Sequence, residues 1–230
     1  QTDSGQRTVI YIGDGISIAN LLDTTELSKV TEKLRQARVN VTSFAVGPKL
    51  DAQLLAVLAN QTGGNVYVQK PMVWQDADAG ISDERAQAKN MHSAEVAGRE
   101  LAKWSRATVF WPEQVQFASE LGQTYPAVMP PLRSDRDTIV LGVTSDQLPA
   151  AVSATIRVSG VAGTSQLHWS AKLEASRDDH AFLAEIVNGA KSDEGLSLPT
   201  IGMVGLMETA RLVGARMDQL TKLAERAISA

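Results

Sequence analysis

Over residues 1–70, short apolar runs alternate with segments of helical spacing. Thr8-Val9-Ile10-Tyr11-Ile12 is a run rich in β-branched residues that ends at Gly13-Asp14-Gly15. A short apolar run closed by glycine predicts a buried parallel strand. Over residues 25–37, Leu27, Val30, Leu34 and Ala37 recur on one stripe. They predict a helix, with Thr24 or Thr25 as its N-cap. Val39-Asn40-Val41-Thr42-Ser43-Phe44-Ala45-Val46 predicts a second strand, closed by Gly47-Pro48. A second helix is expected over 51–62, with Leu54, Leu55, Leu58 and Thr62 inward and Gly63-Gly64 as a C-cap pair. Asn65-Val66-Tyr67-Val68 predicts the third strand. Strand–helix–strand–helix–strand with short loops is the pattern of right-handed parallel crossovers.

The pattern then changes. Residues 70–90 are polar, rich in Asp, Gln and Ala, and read as a linker or a long surface excursion. A helix is expected over 93–104, with Val96, Leu101 and Trp104 inward. From 106 to about 174 the signal is β. Short strands are predicted at Thr108-Val109-Phe110-Trp111, Val115-Gln116-Phe117 and 138–143, and again at 154–158 and 166–171. Consecutive strands without helices predict an antiparallel, sandwich-like arrangement. Tyr125-Pro126 and Met129-Pro130-Pro131 belong in a loop or an edge, because proline cannot donate into a central ladder. A short helix is expected over 178–187, capped by Asp178 or Asp179. After Pro199, Met203, Leu206, Met207, Ala210, Val213, Met217, Leu220, Ala224 and Ile228 follow three-four spacing and predict a long helix. Its end, Leu223-Ala224-Glu225-Arg226-Ala227-Ile228, resembles a helix of tetratricopeptide-type repeats. The expected organisation is a partial α/β unit over 1–70, a linker and helix over 71–105, a β-sandwich-like domain over 106–176 and a helical segment over 177–230.

Composition narrows the function classes. A chain of 230 residues can bury a sizeable core. With 43% apolar and 21% charged residues it is globular in type. A net charge of -4 argues against a cationic nucleic-acid surface and against broad adsorption to anionic lipid. The lack of cysteine excludes disulfides, thiolate metal sites and cysteine nucleophiles. His92, His168 and His180 lie far apart and form no H-x-x-x-H pair. The apolar stretch 201–213 is broken by Glu208 and Arg211, so no membrane span is expected. The polar start, Gln1-Thr2-Asp3-Ser4-Gly5-Gln6, lacks Met and reads as that of a fragment or a processed product.

A resemblance emerges from the order of pieces in the first part. A strand ends in Asp14-Gly15, a helix follows, and a strand ends near Phe44-Ala45-Val46-Gly47. Then come a helix of Leu-Leu-x-x-Leu-Ala type, Thr62-Gly63-Gly64 and a last strand. Residues 7–69 thereby resemble the second half of a von Willebrand factor A domain, over about a quarter of the chain. Within that family the flavour is that of the inter-alpha-trypsin-inhibitor heavy-chain-like group. Tyr125-Pro126-Ala127-Val128-Met129-Pro130-Pro131-Leu132, leading into 139–143, is similar to the β-rich region downstream of the A domain there. The fold implied is a Rossmann-like parallel sheet unit followed by a β-rich domain.

The resemblance also implies a metal-ion-dependent adhesion site. In the family a D-x-S-x-S motif, a Thr from a later loop and a strand-end Asp surround Mg²⁺, and an open position accepts a partner's carboxylate. A hard cation wants such oxygen ligands, and strand ends of an open parallel sheet can present them. Asp14 matches the family's late aspartate, and Gly13 stands where Thr is often found. No D-x-S-x-S occurs in the chain. The resemblance thus implies first strands missing before Gln1, with an apolar sheet edge exposed. Either a companion polypeptide supplies them, or they were removed, or the domain is degenerate. Asp14 is the metal candidate, for Mg²⁺ or Ca²⁺ once that half is supplied. Alone it simply starts a loop with Gly15 as the turn.

Other constellations are less specific. Gly13-Asp14-Gly15 could cradle phosphate in a nucleotide-using enzyme, but neither G-x-G-x-x-G nor G-x-x-x-x-G-K-[ST] is present. Asp178-Asp179-His180 reads as a helix cap. Ser134-Asp135-Arg136-Asp137 reads as a solvated turn with local ion pairs. One of His168 and Trp169 is expected in the core. Trp74, Trp104, Trp111 and Trp169 form no stacking platform, and no nucleophile–base–orienter set is readable. The expectation is a protein-interaction or adhesion module, not an enzyme, from a larger exported bacterial protein, outside the cytoplasm. The alternative is a structural or assembly component with a metal-free A-like unit.

Overall fold

The computed structural model describes residues 5–17, 23–47, 49–68, 83–144, 150–173, 182–196 and 198. The expected helix after Pro199, the cap at Asp178 or Asp179, His180, Trp74 and residues 70–82 of the polar stretch lie outside the described residues. In order the elements are β1 (Arg7–Gly13), α1 (Thr24–Gln36), β2 (Val39–Ala45), α2 (Ala52–Thr62), β3 (Val66–Val68) and α3 (Asp83–Arg106). There follow β4 (Val109–Phe117), β5 (Leu121–Tyr125), β6 (Leu132–Arg133), β7 (Leu141–Thr144), β8 (Ala151–Gly160), β9 (Gly163–Lys172) and α4 (Phe182–Ala190).

The first sheet is parallel, in the order β1-β2-β3, as the alternating pattern predicts. Its central strand is buried although it carries Asn40, Thr42 and Ser43; Asn40 Nδ2 and the Thr42 hydroxyl are partnered, while Asn40 Oδ1 and Ser43 Oγ find no partner among the described residues. Thr62 Oγ1 accepts from Val41 N at 2.9 Å and donates to Leu58 O at 2.6 Å. Thr42 Oγ1 accepts from Asn65 N, and Asn40 Nδ2 donates to Arg7 O at 3.1 Å. Strand β1 departs from the buried strand expected. Among the described residues it pairs on one side only, with β2, and Val9, Ile10, Tyr11 and Ile12 are 46%, 45%, 39% and 64% exposed.

Helix α1 is capped by Asp23, not by Thr24 or Thr25. The Asp23 carboxylate accepts from Glu26 N at 2.8 Å, and Glu26 reaches back to Asp23 N, which makes a capping box. Its inner stripe is also rotated from the expected one. Thr31 is buried while Val30 is exposed, and the Thr31 hydroxyl is satisfied inside the helix by donating to Ser28 O at 2.9 Å. Helix α2 is buried nearly all round and ends at Gly63 in the left-handed conformation (φ 74°), as the glycine pair predicts. Gly64 N donates to Ala59 O, which closes the helix end. Gly64 has a second role, since any Cβ there would overlap the Val41 carbonyl. Helix α3 starts at Asp83, ahead of the expected start, and buries Ala97 and Leu101. Its Trp104 packs on Tyr67, which packs edge-on against Phe44.

The rest of the described chain is antiparallel β plus α4. One sheet has the order β6-β4-β8-β9, and β5 pairs with β7. Two strands expected over 108–117 are one strand, β4, with a register shift between Pro112 and Gln114 that sets Glu113 aside. Buried Val152, Ala154, Ile156 and Val158 alternate along β8. The expectation that His168 or Trp169 is core is not met. Both are exposed, Trp169 at 59%, because they sit on β9 at the edge of the sheet.

Candidate functional site

Two places where the α/β unit meets its surroundings bring chemistry together. The first is the carboxyl end of β1. Here Gly13 O accepts from Val46 N at 3.1 Å and Asp14 O accepts from Asp51 N at 2.8 Å, so the ends of β1 and β2 converge on the start of α2. Gly15 turns the chain with φ 78°, its Cα packed against Leu55. Beside it lies a cleft of about 230 Å³, lined by Gly15, Thr24, Asp51, Gln53 and Leu54 among others. This is the end of a parallel sheet at which ligands commonly bind.

Asp14 stands at this end, half-buried, where the sequence places it. Its Oδ1 accepts from Ile16 N at 2.9 Å, a local turn bond. The neighbouring Asp51 carboxylate caps α2 by accepting from Leu54 N at 2.9 Å. Among the described residues no group of three or more His, Asp or Glu assembles that could hold a metal ion. The donors beside Asp14 thus do not make a cation site by themselves. His92 and His168 are exposed and lie on separate elements, α3 and β9. The phosphate-cradle alternative at Gly13–Gly15 gains no cation from the hydrogen bonds there, since Gly15 N donates to Tyr11 Oη at 3.2 Å.

The second place is a seam between the parallel sheet and the antiparallel strands, and it overturns the solvated turn expected at 134–137. The Arg133 side chain is fully buried. It donates to Gly63 O at 2.9 Å and Trp104 O at 3.0 Å, and pairs bidentately with Asp135 at 2.7 and 2.8 Å. Arg136 donates to Gly64 O and Asn65 Oδ1, while its Nε and Nη2 are buried without a partner among the described residues. Desolvation pushes the Arg136 guanidinium down to about 9; the Arg133 charge adds to this and Asp135 opposes it. Pro130 and Pro131 lie outside any ladder, as expected, but are fully buried, and Pro131 packs against Gly63.

A further cleft of about 310 Å³ opens between α1, the cis Tyr125–Pro126 turn and residues 193–196. Thr31, Glu32, Arg35, Pro126, Val128 and Glu194 line it in part. Arg35 donates to Gln61 O at 3.3 Å and Met129 O at 2.8 Å, and burial lowers its pKa. Sequence reasoning singled out neither Arg35 nor Arg133. Their partners are backbone carbonyls distant in the chain, and spacing carries no sign of them.

No family model matches the chain. No curated protein matches it. Among solved structures it is similar to one described as von Willebrand factor type A from Catenulispora acidiphila, at 13% identity and a TM-score of 0.37. The match covers 93% of this chain and 57% of that one, so the chain spans little more than half of that structure's length. No helix among the described residues is long and apolar enough to cross a membrane.

Proposed function

We propose that this chain is a protein-interaction module that works through the open edge of β1. The observation that carries the reading is a parallel strand paired on one side only among the described residues, with Val9, Ile10, Tyr11 and Ile12 all more than a third exposed. A bare edge is a template for another strand, and an apolar one gains most from being covered. The A-like order of β1, α1, β2, α2 and β3 supports a partner that supplies further strands, either a companion polypeptide or another part of a larger protein. On this reading the antiparallel strands form a sandwich-like platform beside the module, and the chain performs no catalytic step. Asp14 joins a Mg²⁺ or Ca²⁺ site only with oxygen ligands contributed by that partner. The place of action is extracytoplasmic, in a bacterial exported protein, with adhesion as the most specific form of the activity.

The test is native mass spectrometry of the protein isolated from its own host, beside an Ile12→Lys variant. The expected wild-type result is a complex whose second component carries D-x-S-x-S, with Mg²⁺ or Ca²⁺ bound. Ile12→Lys should release that component while circular dichroism stays native. Asp14→Ala should lose the metal and keep the fold. A bare, metal-free chain of 24.6 kDa in every case would overturn the reading in favour of a structural component with a metal-free A-like unit.

A further inference from the structure

The segment that follows α4 sits in a groove built to hold peptide backbone. Asp193 and Leu196 line both the cleft of about 230 Å³ beside Gly15 and the cleft of about 310 Å³ beside Pro126. The two clefts therefore flank this segment, and it divides one groove that follows α1 and α2. The α1 wall passes from Leu27 on one side of the segment to Arg35 on the other, and the α2 wall from Leu54 to Gln61.

The segment is held by its carbonyls. Asn60 and Gln61, both only 4% exposed, donate from their side-chain amides to Leu198 O at 2.9 Å and Leu196 O at 3.4 Å. Ala127 N donates to Glu194 O at 2.8 Å. Arg35 donates to Gln61 Oε1 at 3.4 Å, which leaves the Gln61 NH2 group turned to the segment. Gly195 lets the segment come close. It is buried at φ 79°, and a Cβ there would lie 2.7 Å from Pro126 Cα and 3.1 Å from Tyr125 Cβ.

Backbone carbonyls are alike in every peptide, so these donors fix the path of a chain and not its origin. Two buried amides stripped of acceptors would be costly, so the groove is stable only when filled. The present filling is lightly packed, with open space on both flanks, and such segments open locally at small cost. We propose that residues 193–198 are an autoinhibitory plug in a peptide-docking groove. The ligand is a segment of another polypeptide that offers carbonyls to Asn60, Gln61 and Ala127 N, with glycine against Pro126 and leucine after it. The plug and the ligand exclude one another.

Two measurements on the full chain test this. Amide hydrogen exchange followed by NMR reads the plug in the wild-type protein. The Ala127 N–H, bonded to Glu194 O only while the plug is seated, should exchange at least about 100-fold faster than the Ser43 N–H within β2. Fluorescence anisotropy then reads the groove, with a fluorescein-labelled peptide of residues 191–198 as probe. Gly195→Ala in the chain unseats its own plug, so this variant should bind the peptide at least about tenfold more tightly than wild type, where the tethered plug competes. A peptide carrying Gly195→Ala should bind neither chain. Ile12→Lys should bind the probe as wild type does, which separates the groove from any partner at β1. Ala127 and Ser43 exchanging at one rate would overturn the proposal. So would a Gly195→Ala chain that loses its native circular dichroism, since the plug is then part of the core, or one that keeps it and binds no better than wild type.

Discussion

The seam and the sheet edges at β1 and β9 are built in opposite ways. At the seam, groups from three parts of the chain are locked together. The backbone ends of α2 and α3 accept from Arg133, Asp135 completes it, and Gly63 packs against Pro131 and Val109. At the edges, β1 and β9 leave backbone groups and large apolar side chains open. The seam holds polar groups where water is excluded, so each missing partner is expensive. The edges keep apolar groups in water, where a change of side chain alters little inside the fold. On the proposed reading, stability and association are thus separated in space.

Substitutions should separate them in measurement too. The largest effect is expected for Gly64→Ala. Its methyl group would overlap the Val41 carbonyl, and the obstacle is backbone in a buried strand. Urea denaturation should show a loss above about 4 kcal/mol, or no cooperative transition at all. Next comes Arg133→Met, which strands the Gly63 and Trp104 carbonyls and the Asp135 carboxylate. A loss of about 3–5 kcal/mol is expected in the same measurement. Arg136→Met should cost far less, under about 1 kcal/mol, because relief of a desolvated cation with two unpartnered nitrogens offsets its lost bonds. Equal losses for the two arginines would dissolve the distinction drawn between them. The smallest effect, within about 0.5 kcal/mol, is expected for Ile12→Lys and His168→Glu. The effect of Ile12→Lys should appear in association only. A large loss of stability from either would mean that the edges are part of the core after all.

The alternating pattern made the parallel unit readable, because strand and helix periods there follow from burial on local faces. Three strands, two helices and the Gly63-Gly64 cap were foreseen on that basis. The same pattern put Asp14 at a strand end, but it read β1 as buried, and the exposure of Val9, Ile10, Tyr11 and Ile12 was not legible in it. What could not be read is whatever depends on distant partners. Arg133 reaches a carbonyl 70 residues away and Arg136 one that is 72 away, so a turn of charged residues looked solvated and is not. Strand β6, at two residues, is too short to carry a period. The exposure of His168 and Trp169 depends on β9 being last in its sheet, a matter of topology that alternation does not encode.

The start of β1 carries one more consequence. Gln6 Nε2 donates to Ser105 O and Ala107 O, Gln6 Oε1 accepts from Val109 N, and the Thr8 hydroxyl reaches Ser105 O at 3.4 Å. These bonds tie the chain just ahead of the first strand to the junction between α3 and β4. In mechanical terms this is a clasp. Tension applied upstream of Gln6 loads the clasp before it can peel β1 from β2. The pull is shared at once with the helix and the second sheet, so a protein anchored or tugged through this end would transmit force between its two halves rather than unravel at the first strand.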